Sequence, residues 1–365
     1  MQDTTGRVPR RKAARITGAA TTALAVVASA ACSVVGQGGD DVPGEGGDGG
    51  GTVVLVTHDS FALPEELVAQ FEADTGYTLE TRAPGDGGAL VNQLVLTKDA
   101  PLGDAVYGID TSFATRAIDE GVLEPYTPAG AVEEYALGDH LTAVDMGDVC
   151  VNADLEWFAE AGLPVPETLE DLADPAYRDL LVVTNPATSS PGLAFLAATV
   201  GAFGEDGWQD YWARLRDNGV RVAAGWSDAY YVDFSGPSSE GDRPLVLSYA
   251  SSPPYEVPEG GPGPDGPPTA ALLDTCFRQV EYAGVLAGAA NPEGARAVVD
   301  WLVSAEVQAA IPESMYMYPV SSSVDLPDEW VQFAPLAEHP FEVAPDQIDA
   351  NRERWLTQWS DTVIG

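Results

Sequence analysis

Residues 52–110 read TVVLVTHDSFALPEELVAQFEADTGYTLETRAPGDGGALVNQLVLTKDAPLGDAVYGID, and the rhythm of this stretch decides the fold. It opens on a short apolar run rich in β-branched residues, TVVLVT, which predicts a strand. Pro64-Glu65-Glu66 then leads an amphipathic segment carrying Leu67, Val68 and Phe71, with Gly76 after its end. Proline in the first turn, acids near the amino end and glycine beyond the stop are helix punctuation. YTLETR (77–82) predicts a second strand. Gly85-Asp86-Gly87-Gly88 is a turn into the helix ALVNQLVL (89–96). GDAVYGID (103–110) is a third strand, with Thr111 capping the next helix and Gly121 closing it. Strands alternating with helices imply parallel strands and right-handed crossovers, an α/β fold.

The same alternation restarts after Cys150. Strands are expected at 180–184, 221–224 and 245–249, and helices at 191–201, 208–217 and 302–311. The chain closes on a predicted helix, 345–363, with Ile348, Trp355, Leu356 and Trp359 available to pack. Residues 258–268 are too rich in Gly and Pro to form an element. AVDMGDVCVNAD (143–154) and AALLDTCFRQVEYAG (270–284) read as strands. Two α/β units joined near 145–152 and 276–284 predict two lobes linked by a double crossing, which close on a ligand by hinge motion. The expected division is 52–145 for the first part of lobe 1, 146–277 for lobe 2, and 278–365 for the rest of lobe 1 with the C-terminal helix.

Towards the amino end, Arg7, Arg10, Arg11, Lys12 and Arg15 precede an apolar stretch of small residues and then Ser29-Ala30-Ala31-Cys32. This order predicts a secretory signal over 1–31. The apolar run is shorter than the ~20 residues of a membrane span. Small residues directly before Cys32 resemble a lipoprotein signal, in which that cysteine is lipidated; ordinary cleavage nearby with Cys32 left free is the alternative. Arg10-Arg11 leaves twin-arginine export open beside the general route. Residues 32–51 are dominated by Gly and Asp beyond the cysteine and read as a flexible tether. With Cys32 set aside, Cys150 and Cys276 are an even pair in an oxidising compartment, and a disulfide is predicted in preference to two buried thiols.

The 365 residues carry 57 Asp+Glu against 17 Lys+Arg, a formal charge of −40. Nucleic acid is excluded as a partner, because its binders aim cations at phosphate. Adhesion of the protein surface to anionic lipid is disfavoured for the same reason. Most of the charge is a solvated coat, and the few carboxylates left for a site suit a cationic small molecule. Lys98 is the only lysine after residue 31, which weakens Schiff-base or phosphate-clamp chemistry. Nothing matches a nucleophile elbow, a phosphate loop with Lys, or paired histidines at metal spacing. No catalytic residue, cofactor or metal ligand set is therefore assigned.

Aromatic and hydroxyl residues instead gather at the ends of successive predicted strands: NPATSSPGL (185–193), GWSDAYY (225–231) and SYASSPPY (248–255). In open α/β sheets such loops line the ligand crevice. Trp226 offers a flat face for stacking or for a cation, or simply packs in the core. Tyr249 ends a strand with its hydroxyl towards the crevice, or is a core tyrosine. Ser189 and Ser190 stand at a helix start, where they cap or hold a polar ligand group. Asp86, between glycines, is a turn residue or a carboxylate brought close to ligand. Asp59, after the first strand, has the same two readings. Tyr230-Tyr231 is an adjacent phenol pair able to coordinate ferric iron, although neighbours on a helix diverge by about 100°.

VLVTHDSFALPEELVAQFEADTGY (54–77), PGDGGALVNQL (84–94), NPATSSPGL, GWSDAYY, LVLSYASSPPY (245–255), AIPESMYMYPV (310–320) and the Trp-rich C-terminal helix together resemble the thiamine-binding extracytoplasmic proteins of ABC importers. The likeness runs in order from about Thr52 to the C-terminus. It implies a type II periplasmic binding protein (Venus flytrap) fold of two α/β lobes with a double-strand hinge. It also implies a monomer without catalysis of its own, which delivers thiamine or its phosphate esters to a permease driven by a separate ATPase. Carried over by motif, the ligand contacts are Asp59, Asp86, Gly87, Ser189, Ser190, Trp226, Tyr249, Ala250, Ser251, Ser252 and Tyr316. His58 stands where members of the family often carry Tyr, and Tyr316 where they often carry Trp. A ferric-binding protein of the same class, a thiamine-degrading enzyme built on a cysteine nucleophile, and an adhesive surface lipoprotein are the alternatives.

Overall fold

The computed structural model describes residues 50–258, 261 and 266–365. The expected signal peptide, Cys32 and all but the last two residues of the tether lie outside the described residues. The elements run β1 (Gly51–Val56), α1 (Glu65–Thr75), β2 (Tyr77–Arg82), α2 (Gly87–Leu96), β3 (Ala105–Asp110), α3 (Thr111–Asp119), β4 (Leu123–Glu124), β5 (Thr142–Asp154), α4 (Leu155–Ala161) and α5 (Leu169–Leu172). They continue as β6 (Leu181–Thr184), α6 (Ser190–Asp217), β7 (Arg221–Ala223), α7 (Trp226–Asp228), β8 (Leu245–Tyr249), β9 (Thr269–Leu286), α8 (Pro292–Leu302), α9 (Ala305–Ser314), β10 (Tyr318–Pro319), α10 (Asp328–Phe333) and α11 (Pro345–Val363).

One mixed sheet runs through the molecule in the order β2-β1-β3-β9-β5-β8-β6-β7. β2, β1 and β3 are parallel to one another, as are β8, β6 and β7. Between these groups the long strands β5 and β9 pair antiparallel, so the parallel pattern stops at the centre. β3 and β5 are buried along their whole length, which is why they lack a solvent-facing alternation. The disulfide Cys150–Cys276 joins β5 to β9, closing a sequence separation of 126 residues. Nearby, the buried Asp148 carboxylate accepts two bonds from Arg278, at 2.8 and 2.9 Å, and the Ala337 N–H at 2.7 Å. Satisfying the charge on every side is what makes its burial tolerable.

Several local expectations change. Asp110, not Thr111, caps α3: its carboxylate accepts the Ser112 N–H at 2.6 Å. The Thr111 hydroxyl turns to β9, donating to the Val280 carbonyl and accepting the Val280 N–H at 2.9 Å. The helix expected at 302–311 starts later and runs on: α8 ends at Leu302, and α9 begins after Ser304, whose hydroxyl accepts the Val307 N–H as its cap. α6 covers both helices expected between 191 and 217, and its break falls at Gly204, where φ is 69°. α11 packs against both α3 and α6, with Trp359 edge-on to Trp212 at 5.6 Å and Trp212 edge-on to Phe195 at 5.6 Å.

Candidate ligand-binding cleft

The carboxyl ends of β1, β2, β6, β7 and β8 open on one cleft of about 360 Å³, within the ~300–1,000 Å³ usual for small-molecule sites. The loops that follow these strands supply its walls, because a sheet in which strands share direction brings those loops to one edge. Asp86 sits at the junction. As N-cap of α2 it accepts the Gly87 N–H at 2.6 Å, and the same Oδ1 accepts the Ser190 N–H at 3.0 Å. Its Oδ2 accepts the Trp226 N–H at 2.8 Å. One carboxylate thus serves the first turns of three helices, where unpaired N–H groups and the helix dipole favour an anion. A side chain at Gly87 would collide with the Ser190 hydroxyl, so only glycine allows this approach. The Ala89 N–H donates to the Thr188 carbonyl at 2.9 Å, and Ser190 Oγ donates to Asp110.

Aromatic rings form one wall. Trp226 stacks on Tyr230, centroids 4.9 Å apart at 23°, and its Nε1 donates to Ser248 Oγ at 2.9 Å. Ser248 in turn pairs with Ser252 Oγ at 2.8 Å. Tyr231 meets Trp226 edge-on at 5.4 Å, and Tyr255 meets Tyr316 edge-on at 5.0 Å. Tyr316 holds a positive φ of 53°, and its carbonyl accepts the Ser251 hydroxyl at 2.6 Å. A non-glycine residue in that region needs such outside support.

The opposite wall carries charge. The Tyr107 hydroxyl lies between Asp145 and, at 2.8 Å, Glu281 Oε2, hydrogen-bonded to both with one proton of its own to give. Gln279 Nε2 donates to Glu281 Oε1 at 3.1 Å, and His58 Nε2 stands 3.6 Å from Oε2. The His58 ring lies flat enough on β3 that a side chain at Gly108 would strike it. Burial and the neighbouring Glu281 charge drive the Asp145 carboxyl well above its ordinary range. Burial pushes Glu281 up too, but the His58 imidazole close by and the Tyr107 hydrogen bond outweigh it, so Glu281 lies below its ordinary range. The two neighbouring acids are thus driven in opposite directions, Asp145 up and Glu281 down. Burial lowers His58, yet Glu281 wins and holds it above its ordinary value.

Of the residues singled out in the sequence, Asp59, Asp86, Gly87, Ser190, Trp226, Tyr249, Ser252 and Tyr316 line the cleft. Asp59 is exposed at its rim. Ser189, Ala250 and Ser251 stand behind the wall. Ser189 caps α6 and bonds Thr184 Oγ1 at 2.8 Å. Ala250 packs beside the disulfide, and Ser251 holds Tyr316 from behind. His58, Phe61, Tyr255, Met315 and Glu281 also line the cleft and were not in that set. Gln279 and Glu281 occupy alternate positions of β9, the period that puts both on one face, and this was the available signal.

Tyr230 is buried in a core cluster beside the cleft while Tyr231 is exposed at its mouth, so the adjacent phenols diverge as helix geometry predicts, although both touch the cleft. Burial, then Glu256 for the first and Tyr255 for the second, raises both above the ordinary phenol range. Among the described residues no group of three or more His, Cys, Asp or Glu side chains is placed to hold a metal ion.

The family profile of bacterial extracellular solute-binding proteins matches residues 101–250. The thiamine-binding periplasmic protein of Escherichia coli (strain K12) is 30% identical over 318 residues, 85% of this chain and 93% of that one. Its counterpart in Brucella suis biovar 1 (strain 1330) is 28% identical, covering 84% and 91%. Among solved structures, a periplasmic thiamin binding protein superposes with a TM-score of 0.76 at 28% identity, covering 86% of this chain and 96% of the other. Iron-bound HitA of Pseudomonas aeruginosa superposes at 0.64 with 18% identity, covering 85% and 99%, a likeness of fold alone. With its fold that of a type II periplasmic binding protein and its identity spread over nearly the whole of those relatives, the chain belongs to the family of thiamine-binding periplasmic proteins.

Proposed function

We propose that this protein captures thiamine outside the cytoplasmic membrane and delivers it, unaltered, to the permease of an ABC importer driven by a separate ATPase. The observation that carries this reading is the pairing, across one cleft, of an aromatic wall built on Trp226 with the ionised Glu281. A thiazolium is a permanent cation, and both π-faces and carboxylates stabilise one in a site shielded from water. The cation–π contribution there is ~2 kcal/mol.

In this reading 52–145 and 278–365 form one lobe and 146–277 the other. The boundaries fall inside β5 and next to the middle of β9, the strands that cross the centre of the sheet. Asp59, Asp86, Gly87, Ser190, Trp226, Tyr249, Ser252 and Tyr316 contact the ligand, while Ser189, Ala250 and Ser251 support them. The protein acts as a monomer tethered by a lipid on Cys32 after removal of residues 1–31. Cys150 and Cys276, the two cysteines among the described residues, are oxidised to each other, which speaks against a thiol-dependent thiamine-degrading activity. No helix among the described residues is long and apolar enough to cross a membrane.

The test is isothermal titration with thiamine, its monophosphate and its diphosphate. Saturable binding of thiamine, recovered unchanged by chromatography, is expected. No heat with any of the three, or conversion of the vitamin, would overturn the reading.

A further inference from the structure

Three carboxylates line the cleft, and they differ in what is left for a ligand. Asp59 is exposed at the rim. Asp86 spends both oxygens on the backbone donors of Gly87, Ser190 and Trp226. Glu281 is buried and receives only side-chain donors, Gln279 and Tyr107. Its remaining neighbour, His58 Nε2, stands at 3.6 Å, beyond hydrogen-bond reach, and is itself buried with no hydrogen-bond partner. An imidazole and a carboxylate are thus held side by side on the wall of the cleft without closing on each other.

We propose that Glu281 is the counter-ion of the bound ligand's cation, and that the cation takes it over from the proton on His58. The inference rests on the thiamine reading and names the residue that selects for positive charge. The groups facing His58 are Glu281 from β9, Asp86 at the start of α2, Asp59 on its own loop, and Tyr107 from β3 at 5.4 Å between ring centroids. Asp145 of β5 acts through Tyr107 and Glu281. Of these, Glu281 is the largest influence holding the proton on His58. A thiazolium brought against Glu281 removes that influence and adds a like charge beside the imidazole. His58 then loses its proton. By linkage, affinity rises with pH through the ligand-free titration of His58 and levels off above it.

Thiamine is titrated into the full chain at pH 7 in phosphate and in Tris, whose ionisation enthalpies differ, and again at pH 6 and 8. Release of a fraction of a proton by the wild type, loss of that release in His58→Gln, and binding at least about tenfold weaker in Glu281→Gln are expected. Proton release by the wild type requires no variant to fold, and thermal melts check both variants. Equal heats in the two buffers would overturn the inference, as would a Glu281→Gln protein that binds like the wild type. A wild type that binds thiamine without releasing a proton sinks this inference alone; one that gives no heat sinks the functional reading and this with it.

Discussion

Oδ2 of Asp86 accepts the backbone N–H of Trp226 at 2.8 Å, across 140 positions of sequence. The bond ties the first turn of α2 to the first turn of α7, while Oδ1 reaches α6 through Ser190. Asp86 is therefore a clasp between the two flanks of the sheet before it is anything to a ligand. Asp86→Asn keeps the size but turns an amide N–H towards donors. Thiamine binding at least roughly tenfold weaker is expected by calorimetry, about 1.4 kcal/mol. Small-angle scattering should also find the variant more extended with saturating vitamin, the sign of a lost clasp.

Trp226 gives one face to Tyr230 and keeps the other for the cleft. Trp226→Ala should also weaken thiamine at least roughly tenfold, through the lost stacking and cation–π contact. Trp226→Phe restores a ring but not the Nε1–Ser248 bond and should fall between. Calorimetric affinity equal to wild type in the alanine variant would remove Trp226 from the site.

The Cys150–Cys276 bridge spans 126 residues and is buried at both ends. Replacing both cysteines by alanine should lower stability by ~2–5 kcal/mol, measured as a shift of the denaturation midpoint. Thiol titration of the unreduced, denatured protein should find neither cysteine free.

Asp110 is wholly buried, and burial raises its carboxyl from 3.8 to about 6, against the opposing bonds from Ser190 and Ser112. The folded state then holds a proton that the unfolded chain has released, so this group favours folding below pH ~4 and loses that advantage as pH rises to about 6. Asp110→Asn keeps an N-cap acceptor for Ser112 and removes the titration. Between pH 4 and 7 the variant should gain on the wild type by an amount on the order of 3 kcal/mol. Paired thermal melts across that range measure the difference; a constant gap would refute the assignment.

The aromatic and hydroxyl half of the cleft was legible because its segments, 185–193, 225–231 and 248–255, lie at the ends of recognisable strands. The charged half was not. His58 read as a departure from a family habit, and Glu281 as one polar residue in a strand near the end of the chain. Ser189, Ala250 and Ser251 matched a motif by position, but a motif does not say which way a side chain points. One hydroxyl caps a helix and another holds the Tyr316 carbonyl.

Local chemistry alone determined many of the strands and helices, that the fold is α/β, and that loops at one edge of a sheet would gather. β-branched runs, proline and glycine punctuation and apolar periodicity act over a few residues, so a linear reading captures them. Tertiary structure decided that β5 and β9 run antiparallel through the centre, that Asp86 is consumed by three helix starts, and that Asp145 and Glu281 are driven in opposite directions. These outcomes depend on groups 38 to 174 positions apart meeting in a low-dielectric interior. There the energy of a charge is set by its neighbours rather than by its own type.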